Sequence, residues 1–216
     1  MAISASLVKE LRDKTGAGMM NCKKALEEVG GDLEKAVDVL RKKGLKDAGK
    51  RSGKIAAEGI VYSYLHPGSR IGVLVELNSE TDFVARGTDF EALAKRIAMH
   101  VAWAKPLYVS REEVPGDVIK REEEVCLGQL KPGQEKMADK IISGRMDKFF
   151  EEVCLLNQKD EQSGKKIEEL LTDLSGKVGE KIALRRFSRF EVGEGIEKPA
   201  VNYAEEVAQV AGALIA

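Results

Sequence analysis

One stretch, GIVYSYLHPGSRIGVLVEL at residues 59–77, constrains the fold more than any other. Its two arms, 59–65 and 70–77, are dense in β-branched and aromatic residues, and His66-Pro67-Gly68-Ser69 lies between them. Two such runs joined by four turn residues read as a β-hairpin. Residues 181–192, KIALRRFSRFEV, read as a third strand, and apolar residues elsewhere recur at helical spacing. The expected fold class is therefore α+β: a three-stranded antiparallel sheet, made of the hairpin and one long-range strand, with helices on one face.

Ahead of the hairpin, the first 45 residues read as three short helices. Ile3, Leu7 and Leu11 share one face of the first, which Gly16-Ala17-Gly18 ends. Leu26 and Val29 mark the second, with Asn21 as its N-cap and Gly30-Gly31 as its stop. Asp32 caps the third, where Leu33, Val37 and Leu40 align, and Gly44 is expected to close it. A bundle this small suits docking better than chemistry. The segment RKKGLKDAGKRSGK (41–54) carries seven basic residues in fourteen, a nucleic-acid or ribosome contact on one reading and a solvated linker on the other. The expected domains are a three-helix module at 1–45, a basic linker at 46–58, an α+β core at 59–193 and a C-terminal helical module at 194–216.

After the hairpin, a loop at Asn78–Asp82 precedes a helix with Phe90, Leu93, Ile97 and Val101 on one face, ended by Pro106. Residues 111–180 read as helical, through Val118, Val125 and Leu130, then Met137, Ile141 and Ile142, then Phe149, Val153 and Leu156, and finally Ile167, Leu170, Leu171 and Leu174. Pro132-Gly133 and Ser163-Gly164 are expected breaks. A last helix, Tyr203–Ile215, keeps Val207, Val210 and Leu214 at helical spacing.

Composition and motifs narrow the function. No apolar run approaches the roughly 18 residues that span a bilayer, and charges occupy the start where a signal peptide needs an apolar stretch. Three cysteines, Cys22, Cys126 and Cys154, form no CxxC pair, which argues against a disulfide framework or a zinc site and for a reducing, cytoplasmic setting. There is no GxxxxGK[ST], GxGxxG, HExxH or GxSxG. The two histidines, His66 in a Pro-Gly turn and His100 beside an apolar stripe, assemble no base, nucleophile and orienting group. Glu112-Glu113 and Glu122–Glu124 read as solvated helix faces. No catalytic residue, metal site or cofactor is expected, and an enzyme is disfavoured.

Two apolar features in polar settings remain. Met19-Met20, at a helix start on the small module, are a packing filler or an adaptable partner surface. In NSETDFVARG (78–87), Thr81 or Asp82 caps the following helix and Phe83 staples it to the core, or Phe83 projects as an aromatic anchor with Asp82 as a charged probe.

These segments together resemble one family. LVKELRDKTGAGMMNCKKALEEVGGDLEKAVDVLRKKG is similar to the N-terminal, ubiquitin-associated-like three-helix domain of bacterial elongation factor Ts, and RIGVLVELNSETDFVAR is similar to the core signature around its TDFV motif. IAMHVA, YVSREEVP and FEVGEGIEK also match, so nearly the whole chain is covered. The resemblance implies guanine-nucleotide exchange on elongation factor Tu through disturbance of its phosphate and Mg²⁺ site. It implies that Phe83 wedges into an apolar pocket of the GTPase and Asp82 disturbs the Mg²⁺ groups, with Thr81 and Val84 beside them in the motif. Met19, Met20 and Lys23 match G-domain contacts, His66 matches a turn histidine that helps to shift the phosphate loop, and Val178 and Gly179 match a smaller contact turn. The final helix resembles a module that packs on the G domain.

One departure bears on assembly. Longer members carry the TDFV loop and the turn histidine on two subdomains, whereas this chain has a single hairpin, so a symmetric dimer in a 2:2 complex is expected to present both. Ser188 inside RRFSRF has no cysteine near it, so no disulfide through that strand would link the dimer. The rival from another class is a ribosome- or RNA-associated protein using 41–54. Residues 1–54 carry a net charge of +5, but the remainder carries −6, only 5% of residues are aromatic and none lies in 41–54. Direct nucleic-acid binding is therefore not expected, nor is a membrane.

Overall fold

The computed structural model describes residues 3–197 except Ser52, 131–132 and 134–136, with side chains left aside over 45–50. The expected C-terminal helix at Tyr203–Ile215 lies outside the described residues, as does Pro132.

Helices α1 (Ala5–Thr15), α2 (Met19–Glu28) and α3 (Leu33–Arg51) open the chain. Ser4 Oγ accepts the Leu7 N–H at 3.3 Å to start α1, and Gly16 (φ 68°) ends it in the left-handed conformation that glycine adopts without strain. The N-cap of α2 is Gly18 rather than Asn21; Asn21 sits in the first turn, where its Oδ1 accepts Lys43 Nζ of α3 at 3.0 Å. Gly30 and Gly31, both at positive φ, end α2, and Asp32 Oδ1 accepts the Lys35 N–H at 3.1 Å to cap α3. The buried residues Val8, Leu11, Cys22, Ala25, Leu26 and Ala36 form a core of their own, edged by Ile3, Leu7, Val29, Leu33, Val37 and Leu40.

Gly44 does not close the third helix. α3 runs on to Arg51 and packs against the later helix α8 (Ile167–Val178). Arg51 Nη1 donates to Ser175 O at 3.3 Å, and Arg41 pairs with Glu169 at 3.6 Å. An interior glycine costs a helix about 1 kcal/mol, which these tertiary contacts offset.

The sheet orders β1 (Glu58–Leu65), β2 (Ile71–Ser79) and β3 (Ala183–Glu191) with β2 central and both pairings antiparallel. Tyr62 pairs with Val75, which pairs with Phe187; Leu65 pairs with Gly72, which pairs with Phe190. Because strand side chains alternate, Val73, Val75, Leu77 and Leu184 point inward. They meet Phe90, Leu93, Ala94, Ile97, Ala98 and Val101 of α5 (Thr88–Ala104) and Ile167, Leu170, Leu171 and Leu174 of α8. Val61, Leu65, Leu74 and Phe190 occupy the other face, exposed. The register shifts between Glu76 and Leu77, and Arg185 and Arg186 both reach Glu76, at 2.8 and 2.6 Å.

Lys105 (φ 50°) ends α5 just before Pro106, and the buried Arg189 guanidinium satisfies the helix end by donating to Ala102 O at 3.1 Å. The middle segment folds as α6 (Gly116–Gly128) and α7 (Ala138–Val153), tied by Arg145 Nη1 to Cys126 O and Gln129 Oε1. A single turn, α4 (Asp82–Ala85), stands where a loop was expected. No helix among the described residues is long and apolar enough to cross a membrane.

Candidate functional site

The most exposed aromatic ring among the described residues is Phe83, 86% accessible on α4. Local geometry explains why it points out. Thr81 is extended (φ −129°, ψ 157°) and serves as N-cap, so α4 starts at Asp82. Ala85 is then buried, Val84 packs half-buried on the core, and Phe83 turns to solvent. Phe83 thus does not staple the helix to the core. Nor does Thr81 cap α4 with its side chain; its Oγ1 donates instead to Glu180 Oε1 at 2.7 Å. Asp82 is half exposed and paired with Arg86 at 3.0 Å, a surface pair of the kind worth 0–1 kcal/mol and easily exchanged for another partner.

An exposed phenyl ring backed by a buried anchor and beside a loosely held carboxylate can seat in an apolar pocket and bring a negative charge with it.

Met19 and Met20, at the start of α2, are 51% and 64% exposed, so they are not filler for the small core. Lys23, one turn on, lies exposed at 3.9 Å from Glu27. Ala17 and Gly18 beside the methionines share a cleft of ≈ 480 Å³ with Val178 and Gly179. Val178 is half-buried at the end of α8 and Gly179 (φ 80°) is its exposed C-cap. Glu180, the next residue, reaches Thr81, which joins the Val178-Gly179 turn to the TDFV segment.

His66 is exposed in the hairpin turn, with its Nδ1 3.1 Å from Tyr64 Oη. It precedes β2 and the TDFV segment follows it, so the two lie at opposite ends of that nine-residue strand, roughly 25–30 Å apart at about 3.3 Å per residue. One copy of the chain therefore does not bring His66 to Phe83.

The second histidine is structural. His100 is buried, its Nε2 2.9 Å from Gln158 Oε1, and burial lowers its pKa. Asp160 accepts Arg96 Nε at 2.8 Å and Ser163 N and Oγ at 2.8 and 2.9 Å; the Arg96 hydrogen bond, first, holds its carboxyl far below the usual range. Glu191 is lowered to about 2 by hydrogen bonds from Lys105 and Arg189. Among the described residues no group of three or more His, Cys, Asp or Glu side chains could hold a metal ion. In the basic segment, Arg41, Lys43 and Arg51 are each engaged within the protein, by Glu169, Asn21 and Ser175 O.

Glu180 and Lys54 support the TDFV segment without any local signal in the sequence. Glu180 is separated from Thr81 by 99 positions, and no local pattern marks such a contact.

Comparison with known proteins gives a consistent match. The family model described as Elongation factor TS matches residues 23–161. "Elongation factor Ts" of Desulforamulus reducens is 56% identical over 211 residues, covering 95% of this chain and 96% of that protein. The protein of the same name from Anaeromyxobacter dehalogenans strain 2CP-1 is 55% identical, with 97% of each chain covered. That of Syntrophomonas wolfei is 54% identical, covering 95% of this chain and 97% of the relative.

Proposed function

The chain belongs to the elongation factor Ts family, and on that premise we propose that it is a guanine-nucleotide exchange factor for elongation factor Tu in translation elongation. The observation that carries the reading is Phe83, held at 86% exposure between a buried Ala85 and an extended Thr81. Such a factor makes no covalent bond. It binds the nucleotide-free GTPase better than the GDP form, and by linkage its binding weakens GDP by the same factor. Phe83 enters an apolar pocket of the GTPase while Asp82 leaves Arg86 and disturbs the groups that hold Mg²⁺ and phosphate. Thr81 and Val84 fix the backbone on either side of that pair. Met19, Met20 and Lys23 form a second contact on the G domain, and Val178 and Gly179 a smaller one. The setting is the cytoplasm.

His66 acts from a second copy. With His66 and Phe83 at opposite ends of β2, a two-fold dimer presents one of each toward the same GTPase, giving a 2:2 complex. The open sheet face fits that role. Val61, Leu65, Leu74 and Phe190 are large, apolar and exposed there, a patch that a two-fold axis covers with its own copy.

Titration against elongation factor Tu stripped of nucleotide and loaded with GDP tests the proposal. The nucleotide-free form is expected to bind about 100-fold more tightly, within the usual range of coupling between sites. Equal affinities would overturn it, because a ligand indifferent to the two states cannot shift them.

A further inference from the structure

The TDFV segment and the turn after α8 hold each other by a reciprocal exchange of carboxylates. Glu180, in the turn, accepts the Thr81 backbone N–H at 3.0 Å and the Thr81 hydroxyl at 2.7 Å. Glu80, the neighbour of Thr81, accepts the backbone N–H of Lys181, the neighbour of Glu180, at 2.7 Å. Its other oxygen accepts Lys54 Nζ at 2.7 Å. The flanks are tied as well. Ser79 Oγ donates to Thr81 O at 2.8 Å, Ser175 Oγ donates to Glu180 O at 2.6 Å, and Lys181 Nζ donates to Lys54 O at 2.8 Å. Both carboxylates are half-buried.

Charged acceptors on backbone N–H groups make shorter and stronger bonds than neutral ones. Their placement matters more than their number. The bonds fix the peptide planes at Thr81 and Lys181, immediately before Asp82-Phe83 and immediately after Val178-Gly179-Glu180. A loop left free would lose about 1–2 kcal/mol of backbone entropy per residue when ordered by a partner, and that cost would subtract from binding.

We propose that Glu180 and Glu80 are positioning residues, which lock the segment bearing Phe83 to the turn bearing Val178 and Gly179 so that the GTPase meets one pre-ordered surface. This rests on the reading of Phe83 as the residue that meets elongation factor Tu. Glu180 acts through Phe83 and makes no contact with the GTPase itself. Lys54 carries the lock to the segment that follows α3.

The test combines amide hydrogen exchange on the free full-length protein with GDP release from elongation factor Tu. Glu180→Ala is expected to speed exchange of the Thr81 amide about tenfold, the loss of one net hydrogen bond, and to lower kcat/KM for nucleotide release by a similar factor while lowering the thermal midpoint by only a few degrees. Glu180→Gln, which keeps an acceptor, is expected to recover most of that loss. In a Phe83→Ala background, Glu180→Ala is expected to have a clearly smaller further effect on release, since only Asp82, Val178 and Gly179 remain to be positioned. An unchanged Thr81 amide in Glu180→Ala would overturn the proposal. So would a full tenfold loss persisting in the Phe83→Ala background, which would place Glu180 in direct contact with the GTPase. Wild-type stimulation by Phe83→Ala alone would overturn the reading of Phe83, and it is distinguishable because the Thr81 amide would still respond to Glu180→Ala.

Discussion

Gly44 of α3 faces Gly176 of α8, where a Cβ on Gly176 would make an ordinary contact of 3.6 Å with Gly44 Cα. At this crossing α3 lies against α8 and runs on to Arg51. Gly44 itself is helical, with nothing within 4 Å of an added Cβ. Gly44→Ala is therefore predicted to stabilise the protein by about 0.5–1 kcal/mol in urea unfolding. Gly16 behaves in the opposite way. It sits at φ 68°, and an added Cβ would fall 2.6 Å from Lys177 Cε, so Gly16→Ala is predicted to cost about 1 kcal/mol or more. Destabilisation by Gly44→Ala would mean that the helix stops there.

Phe83→Ala is predicted to leave the thermal midpoint within a few degrees of the parent, because a ring that is 86% exposed contributes little to the core. The same variant should lose at least tenfold in stimulated GDP release, as expected when an aromatic anchor worth 2 kcal/mol or more is truncated. Stopped-flow release with a fluorescent GDP and a melting curve decide it together.

Asp160 contributes to acid stability. Its folded pKa is depressed, chiefly by the Arg96 hydrogen bond, so its stabilisation is present above the unfolded value near 4 and is lost as pH falls from there toward the folded value. Asp160→Asn is predicted to cost about 2–4 kcal/mol at pH 7, because it leaves Arg96 without its charge partner. It should also flatten the stability profile below pH 4. His100 adds a separate step. Burial lowers its pKa, so the unfolded chain binds the proton more readily and stability declines as pH drops below about 6.5. Urea midpoints measured from pH 3 to 8 on the two proteins would show both limbs, and an unchanged acid limb in Asp160→Asn would contradict the assignment.

Phe190, exposed on the open sheet face beside Leu74 and Leu65, tests assembly. Sedimentation at micromolar concentration is predicted to give twice the chain mass of 23.6 kDa for the parent and the single mass for Phe190→Glu, since like charges brought together on a two-fold axis repel. A monomeric parent that forms a fully active one-to-one complex would remove the dimer and, with it, the role of His66 from a second copy.

Much of this architecture was legible in the residues. The hairpin about His66-Pro67-Gly68-Ser69, the strand at Ala183–Glu191 and the apolar face of α5 all appear where their periodicities put them, since side-chain alternation and the helical repeat are local properties. The misreadings share one cause. Gly44 looked like a stop and Asn21 like a cap because each is usually so in isolation. Contacts from α8 and Lys43, far along the chain or on another helix, set their actual roles. Phe83 was ambiguous between core and surface for the same reason, and only the burial of Ala85 and Val84 against the sheet turns it outward. Glu180 was invisible, because a carboxylate that serves a loop 99 positions away leaves no trace in its own neighbourhood.

The proposed action of this chain is to open the nucleotide site of elongation factor Tu. The most direct test follows a fluorescent GDP leaving that GTPase, chased with excess unlabelled nucleotide, with this protein present at a small fraction of the GTPase concentration. Acceleration sustained over many turnovers, abolished or strongly reduced by Phe83→Ala, is the expected result. Release at the intrinsic rate, from a cognate GTPase and with the exchange protein folded, would contradict it.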